Sequence, residues 1–258
     1  MDIDKIYNED CLEGMKQIPD ASIDMILCDL PYGTTDNRWD NVIPANALWN
    51  EYLRIIKPEA AIVLFSSGRF TQKLIESCEA LYRYKWIWVK NKKTNFINAK
   101  NRPLAAYEEI CIFSKGLTAN HCKNRMKYFP QGLKPYNKVR RGGATKFGTM
   151  ISARPNHKSE VFQAWTNYPC DVLFFKSPSK YSHPSEKPIE LIEYLVKTYS
   201  HEGETVLDNC MGSGTTAVAC INTNRHFLGF ELEKEYFELA CKRIANAKAE
   251  KESKFAFC

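Results

Sequence analysis

The 258-residue sequence lacks any apolar run that approaches the ~20 residues needed to span a bilayer. Its first residues, Met1-Asp2-Ile3-Asp4, also lack the basic and apolar stretches of a secretory signal. Apolar and charged residues make up 44% and 26% of the chain, which is typical of a globular protein. We therefore expect a cytoplasmic protein without a membrane partner.

The ten cysteines lack the spacing of a metal-binding or redox motif. No two are arranged as Cys-x-x-Cys, and they do not cluster with histidines as zinc ligands do. Several lie inside apolar runs, where a free cysteine behaves as a small hydrophobic residue. The sequence therefore predicts reduced thiols and no metal site.

Acidic residues are nearly missing from one long segment, residues 83–158. It contains 18 lysines and arginines against only Glu108 and Glu109, a net charge of +16, whereas the rest of the chain carries −10. Such a concentration of positive charge favours a polyanion as partner, because each neutralised phosphate releases condensed counterions. Aromatic residues in the segment, Trp86, Trp88 and Phe129 among them, argue against a purely disordered basic loop. The charge distribution therefore predicts nucleic-acid binding.

Short apolar runs alternate with helical periodicity along most of the chain. The predicted strands are residues 3–7, 23–28, 61–65, 84–89, 110–113, 172–175, 205–208 and 227–230. The predicted helices are residues 11–17, 45–56, 70–81, 189–199, 215–221 and 236–247. This alternation predicts an α/β domain with a mainly parallel sheet. Residues 115–166 lack clear periodicity, and we interpret them as a basic insert between two halves of that domain, residues 1–114 and 167–258.

A glycine-rich loop at residues 208–216 follows a predicted strand and precedes a predicted helix. Glycines allow a ligand to approach the backbone, and a helix start offers N–H groups to a carboxylate or phosphate. About twenty residues later another strand ends at Glu231, where dinucleotide-binding folds place a ribose-binding acid. The loop matches neither the dehydrogenase fingerprint nor a P-loop, so a simple tight turn is the alternative interpretation.

The tetrad Asp29-Leu30-Pro31-Tyr32 ends another predicted buried strand. A carboxylate and a fixed backbone carbonyl are two acceptors that together could draw on both N–H bonds of an aromatic amino group. Pro31 restricts Leu30 to an extended backbone, and Tyr32 offers a flat face for stacking an extruded base. The alternative is an ordinary strand-ending turn with a buried tyrosine.

The tetrad Asp-Leu-Pro-Tyr resembles the Asp-Pro-Pro-Tyr motif of amino-methylating DNA methyltransferases, and residues 208–216 resemble their cofactor loop. The run His183-Pro184-Ser185-Glu186-Lys187-Pro188 resembles the His-Pro-x-x-Lys-Pro segment that precedes this loop in one subgroup. The order, with the tetrad first and the loop late, is that of the beta group. The resemblance spans nearly the whole chain apart from the basic insert. It implies a Rossmann-like methyltransferase sheet, mostly parallel with one antiparallel strand, that carries a basic target-recognition insert.

The resemblance also implies a role for each matching residue. The catalytic residues are Asp29, Leu30, Pro31 and Tyr32, of which Leu30 contributes its carbonyl. The residues expected to bind S-adenosylmethionine are Asp10, Cys11, Asp29, Lys187, Asp208, Gly212, Gly214, Thr215, Thr216 and Glu231. The residues expected to bind double-stranded DNA match no motif and come from the basic segment, which falls where the family has its target-recognition region. They are Lys92, Lys93, Arg102, Arg125, Arg140, Arg141 and Arg154, and the arginines could read base edges or only contact phosphates.

The sequence departs from the family pattern at two places. Leu30 stands where the family has its first proline, and Asn209-Cys210 stands where Pro-Phe is common. Aspartate rather than serine at position 29 favours adenine as the target.

The implied function is methyl transfer from S-adenosylmethionine to the exocyclic amino group of adenine, by direct displacement on a flipped-out base and without a metal. The alternatives are a cytosine amino-group DNA methyltransferase and a non-catalytic nucleic-acid-binding protein. A cognate restriction endonuclease and a homodimer are further partners that the resemblance allows.

Overall fold

The computed structural model describes residues 1–33, 37, 40–141, 160–178 and 186–255. By its contacts the chain forms two units, the larger from Met1–Phe129 and Asp171–Cys258 and the smaller from Pro130–Cys170. The strands are β1 (Lys5–Tyr7), β2 (Ile23–Cys28), β3 (Ile56–Ser66), β4 (Tyr82–Thr94), β5 (Ala105–Ser114), β6 (Lys134–Arg141), β7 (Glu160–Thr166), β8 (Val172–Phe174), β9 (Thr205–Asp208) and β10 (His226–Phe230). The helices are α1 (Cys11–Met15), α2 (Ala45–Ile55), α3 (Arg69–Ser77), α4 (Ile189–Tyr199), α5 (Thr215–Asn222) and α6 (Lys234–Phe255).

The larger unit is an α/β domain around an eight-stranded sheet with the order β1-β10-β9-β2-β3-β5-β4-β8. Strand β5 runs antiparallel to both of its neighbours, β3 and β4. The other pairs in this sheet are parallel. The predicted fold, a mostly parallel sheet with one antiparallel strand, is therefore confirmed.

Helices cover both faces of the sheet. In β2 every residue is buried, with Met25 and Leu27 in the core beneath α4, α5 and α6. The alternate residues Ile26 and Cys28 belong to the core beneath α1, α2 and α3. A parallel strand that is buried on both faces has no solvent-exposed side, which explains why five of the six residues of β2 are apolar. The exception, Asp24, forms ion pairs with Lys57 and Lys127.

Several elements differ in length from the sequence predictions. Helix α2, predicted to end at residue 56, ends at Ile55, and β3 begins at the next residue, so Pro58 lies inside a strand. The ladder between β2 and β3 shifts register between Ile23 and Met25, and a proline without an N–H is tolerated at such an irregularity. The helix predicted at residues 70–81 ends at Ser77 and is followed by a 3₁₀ turn, Glu79–Leu81.

The smaller unit contains an antiparallel pair, β6 and β7, where the sequence showed no clear periodicity. The register shifts between Pro135 and Lys138, and Asn137 there has a left-handed backbone with φ 47°. This irregularity, together with basic residues along β6, breaks the alternation of apolar and polar residues by which a strand is predicted.

Residues 115–129, which we expected to lie in the insert, belong to the larger unit. Met126 is buried in its core, and Lys127 Nζ lies 2.5 Å from Glu204 Oε1 and 3.2 Å from Asp24 Oδ1. This ion cluster fastens the segment to the amino ends of β2 and β9. Within the described ranges, no helix has the length and apolar character needed to cross a membrane.

Candidate active site

Acidic side chains mark the carboxyl ends of four neighbouring parallel strands. Asp29 follows β2, Asp208 ends β9, Glu231 follows β10, and Asp10 caps the helix after β1. Because the carboxyl ends of parallel strands meet at one edge, residues far apart in the sequence come together there. All four acids line one cavity of about 820 Å³.

Asp29 is held by two donors, one on each carboxylate oxygen. Lys187 Nζ donates to Asp29 Oδ2 at 2.5 Å, and the Tyr32 hydroxyl donates to Asp29 Oδ1 at 2.9 Å. The ring of Tyr32 stacks on Phe70, with centroids 4.6 Å apart. Burial raises the pKa of Asp29 above its ordinary value, and the ammonium of Lys187 opposes that rise. The tetrad thus presents an oriented carboxylate to the cavity.

Glu108 on β5 is a site residue that the sequence reasoning missed. Its Oε2 lies 3.4 Å from Lys187 Nζ, and its Oε1 lies 3.0 Å from Lys90 Nζ. Burial acts to raise the pKa of Glu108, but these two lysines hold it below its ordinary value. Burial alone would lower the pKa of Lys187, but Asp29 and Glu108 raise it. Lys187 is therefore a charged link between two carboxylates.

One signal in the sequence could have identified Glu108 as a site residue. Glu108 and Glu109 are the only acids in the basic segment. They alternate along β5, and Glu109 bonds instead with Lys85 and with Thr71.

The glycine loop is fastened by Asp208. Its Oδ2 accepts a hydrogen bond from Thr216 Oγ1 at 2.6 Å, and its Oδ1 accepts one from the Cys210 amide at 3.1 Å. Asp208 is only 5% exposed, and burial raises its pKa to about 6. The carboxylate therefore joins the end of β9 to the first turn of α5.

Glu231 holds the same loop from the neighbouring strand. Its carboxylate accepts hydrogen bonds from the Gly212 amide at 2.7 Å and from the Glu233 amide at 2.9 Å. Gly212 and Gly214 have left-handed backbones, with φ 53° and 81°, which glycine adopts without strain. A Cβ on Gly214 would lie 3.1 Å from Ala240 Cα, so this glycine also lets the loop pack against α6.

Asp10 and Cys11 stand at the start of α1. Asp10 Oδ1 accepts hydrogen bonds from the amides of Leu12 and Glu13 at 2.8 and 3.2 Å. Both Asp10 and Cys11 line the cavity, as do Lys187, Thr215 and Thr216.

Asn209 is a second residue that the sequence reasoning did not assign to the site. Its Nδ2 lies 3.6 Å from Cys11 Sγ and 3.5 Å from Cys210 Sγ, and its Oδ1 accepts a hydrogen bond from Tyr52. Burial raises the pKa of the nearby Cys28 thiol to about 12. These thiols are therefore protonated packing groups of the cavity wall. Among the described residues, no three His, Cys, Asp or Glu side chains are grouped to hold a metal ion.

One of the predicted DNA-binding residues, Lys92, lines the cavity, and it donates to the Pro178 carbonyl at 2.9 Å. Lys93 is exposed on β4, and Arg102 is exposed in the connection between β4 and β5. In the smaller unit, Arg140 and Arg141 on β6 lie opposite Val161 and Glu160 on β7.

The structure does not bring Arg125 to the cavity. It forms a bridge with Leu117, and its neighbour Lys127 contacts Asp24 near the amino end of β2. Arg125 therefore lies beside the opposite edge of the sheet. Arg154 and the run His183-Pro184-Ser185 lie outside the described residues.

Relatives of this chain are methyltransferases by name. The type II methyltransferase M.HpaI of Haemophilus parainfluenzae is 27% identical over 93% of this chain and 74% of its own length. The DNA adenine methyltransferase YhdJ of Escherichia coli (strain K12) is 25% identical over 93% of this chain and 82% of its own.

Solved structures give the same picture. The M1.HpyAVI–SAM complex has a TM-score of 0.59 and 26% identity, covering 93% of this chain and 98% of that one. The PvuII DNA methyltransferase (cytosine-N4-specific) has a TM-score of 0.66 at 14% identity, covering 96% of this chain and 92% of that one, which is a likeness of fold alone. The DNA methylase family model, of the N6 and N4 type, matches residues 23–242. The chain therefore belongs to the DNA methylase family.

Proposed function

We propose that the protein transfers a methyl group from S-adenosylmethionine to the exocyclic amino group of adenine in double-stranded DNA. The observation that carries this proposal is the placement of Asp29 and Asp208 at the ends of neighbouring strands, on one cavity. A hydrogen-bond acceptor for the target thereby stands beside the glycine loop.

The chemistry of the cavity fits S-adenosylmethionine. Carboxylates of Asp10, Asp208 and Glu231 suit a cofactor with a sulfonium and an ammonium group. Each carboxylate oxygen has two lone pairs, so Glu231 can accept ribose hydroxyls as well as its two backbone amides. When bound, the cofactor supplies a methyl carbon activated for displacement. We assign its binding to Asp10, Cys11, Asp208, Gly212, Gly214, Thr215, Thr216 and Glu231.

In this proposal the tetrad prepares the target amino group. Asp29 and the Leu30 carbonyl accept hydrogen bonds from its two N–H groups, so that the nitrogen lone pair is drawn out of the ring as the methyl group arrives. The methylated nitrogen then releases one proton to the Asp29 carboxylate. Tyr32 stacks on the base, and its own ring is supported from behind by Phe70. Both acceptors are fixed by the protein before the target enters, which avoids reorganisation during the reaction.

Lys187 takes a different role from the one that the family resemblance suggested. We expected it to bind the cofactor, and it does line the cavity, but its ammonium group contacts Asp29 and Glu108. We assign it as a positioning residue that keeps Asp29 ionised, because a neighbouring ammonium stabilises the charged carboxylate.

The choice of adenine over cytosine rests on the carboxylate at position 29. The relative YhdJ is named a DNA adenine methyltransferase, whereas the PvuII enzyme is named cytosine-N4-specific. We propose that DNA is held by Lys92, Lys93, Arg102, Arg140 and Arg141. A homodimer and a cognate restriction endonuclease stay predictions of the sequence.

The test uses purified protein, duplex DNA and S-adenosylmethionine with a labelled methyl group. Digestion of the DNA should give labelled N6-methyladenine, whereas label in N4-methylcytosine would reject adenine and transfer only to RNA or protein would reject DNA. Asp29→Ala should lower transfer by about 100-fold or more, as for loss of a group that acts in the transition state, with cofactor affinity in calorimetry unchanged. Asp20→Ala, at an exposed surface aspartate, is the matched control. Sequencing of modified bases in DNA from an expressing host would identify the target site.

A further inference from the structure

The connection between β4 and β5 carries two exposed apolar side chains at its tip. Ile97 is 98% exposed and Phe96 is 67% exposed, and both belong to the 3₁₀ turn Phe96–Asn98. Single exposed apolar residues are common on protein surfaces, but two large ones side by side at a projecting turn indicate a contact with a partner.

The turn that presents them is fixed by its own hydrogen bonds. Asn95 adopts a left-handed backbone with φ 77°, and the Asn98 amide donates to the Asn95 carbonyl at 3.1 Å. The Ala99 amide donates to the Phe96 carbonyl at 3.1 Å, and the Arg102 amide donates to the Asn98 carbonyl at 3.0 Å. The two side chains are thus displayed on a preformed turn, which lowers the entropy cost of contact with a partner.

Positive charge surrounds the tip. Four exposed cations flank it along the chain, Lys92, Lys93, Lys100 and Arg102, and the sequence has no acid between residues 91 and 107. A partner that suits this surface has an anionic exterior and an apolar interior that two side chains can enter. Duplex DNA has both, since its phosphates lie outside a stack of flat bases.

The connection also rises from the rim of the active-site cavity. Lys92 and Thr94, on the strand that leads into it, and Ala105 and Tyr107, on the strand that leaves it, all line the cavity that contains Asp29. A segment of DNA that delivers a nucleotide to Asp29 therefore passes close to this tip.

We propose that Phe96 and Ile97 enter the base stack of duplex DNA and fill the space that the target nucleotide leaves when it turns into the cavity. This inference rests on the proposed DNA methylation. An apolar side chain between base pairs replaces part of the stacking that the extruded base loses, so it favours the extruded state. The basic residues around the tip hold the two strands by their phosphates.

The test compares two duplexes that carry the methylated site found by sequencing. In one duplex the target adenine is paired with thymine, and in the other the opposite position is abasic, so the target is unpaired and its extrusion costs less free energy. The double variant Phe96→Ala/Ile97→Ala should lower kcat/KM on the paired duplex by about tenfold or more, which is the usual effect of losing one stacking contact with a base. It should differ little from the unaltered protein on the abasic duplex. Leu117→Ala, an exposed apolar residue beside the opposite edge of the sheet, is the control and should behave normally on both.

Each outcome bears on the proposal separately from the proposed function. If the unaltered protein methylates no DNA, the proposed function fails, and the proposed insertion of Phe96 and Ile97 fails with it. If the unaltered protein is active and the double variant has the same kcat/KM on the paired duplex, only the proposed insertion is rejected. Equal losses on both duplexes would also reject it, since the tip would then act in something other than extrusion. Calorimetric cofactor binding by the double variant shows that its larger unit is folded.

Discussion

Lys187 Nζ lies 2.5 Å from Asp29 Oδ2, although 158 residues separate the two in the sequence. The pair forms because β2 and the segment before α4 end at the same edge of the sheet. The ammonium is shared with Glu108, so the charge of the Asp29 carboxylate depends on two neighbours of opposite sign. This arrangement makes the pH dependence of methyl transfer a direct readout of the site.

Lys187→Gln should shift the acidic limb of the kcat/KM profile to higher pH. The lysine lowers the pKa of Asp29 against the effect of burial, so its removal lets that pKa rise further. The fraction of ionised Asp29 at neutral pH then falls, and activity falls with it. Lys187→Arg keeps the positive charge and should shift the limb much less. An unshifted limb in Lys187→Gln would contradict the positioning role.

Glu108→Gln should shift the same limb in the opposite direction. The Glu108 carboxylate raises the pKa of Asp29 by repulsion, so its neutralisation lowers that pKa and extends activity to lower pH. Glu109→Gln, at the next residue of β5, is the matched control, because Glu109 bonds with Lys85 and Thr71 instead. Profiles of kcat/KM for both variants, with calorimetric cofactor affinity, make the comparison.

Substitutions at Tyr32 should separate its hydroxyl from its ring. Tyr32→Phe loses the hydrogen bond to Asp29, worth about 1 kcal/mol, and should lower kcat/KM by about fivefold. Tyr32→Ala also loses the stacking face, worth about 1–3 kcal/mol per base, and should lower kcat/KM by a further tenfold or more. Equal kinetics of the two variants would argue against stacking on the target base.

Asp208→Asn should change how stability depends on pH. The folded pKa of Asp208, about 6, lies above the ordinary value of 3.8, so between these values the folded state binds more protons than the unfolded state. Its contribution to stability therefore falls as pH rises from about 4 to about 6, by up to about 3 kcal/mol. The variant lacks this fall. Urea unfolding of both proteins at several pH values measures the difference, which should move in favour of Asp208→Asn as pH rises.

Lys92→Ala and Arg125→Ala should differ in their effect on DNA affinity. Lys92 lines the cavity, whereas Arg125 lies beside the opposite edge of the sheet. The slope of log K against log salt concentration should fall by about 0.9 for Lys92→Ala, the value for one lost phosphate contact. Arg125→Ala should leave affinity and slope unchanged, and a loss there would place DNA on a different surface.

The sequence was most informative where the backbone itself is constrained. Strand β2 was predicted with its observed bounds because burial of both faces makes all of its residues except Asp24 apolar. The tetrad and the glycine loop could be recognised because Pro31 restricts the local backbone and Gly212 allows a left-handed one. Both effects are local, so they can be predicted from the sequence without knowing which strands pair.

Contacts that depend on strand register could not be predicted in this way. Glu108 reaches Lys187 only because β5 pairs antiparallel with β3 in a register that sets Glu109 opposite Ser66. A shift by one residue would turn Glu108 to the other face of the sheet. The pairing of β6 with β7 escaped notice for a related reason, since their alternation is interrupted at Asn137.

The hydrogen bond from the Thr205 amide to Asp24 joins β9 to β2 across 181 residues. While the ribosome makes the chain, β2 emerges early and gains β3 on one side within a few dozen residues. Its other side pairs with β9, whose Thr205 lies 181 residues after Asp24. A nascent chain that ends before β9 therefore holds Asp29 after a strand with one unpaired edge, and it has no glycine loop beside it. The two parts of the candidate site meet only after β9 and the glycine loop have both been made.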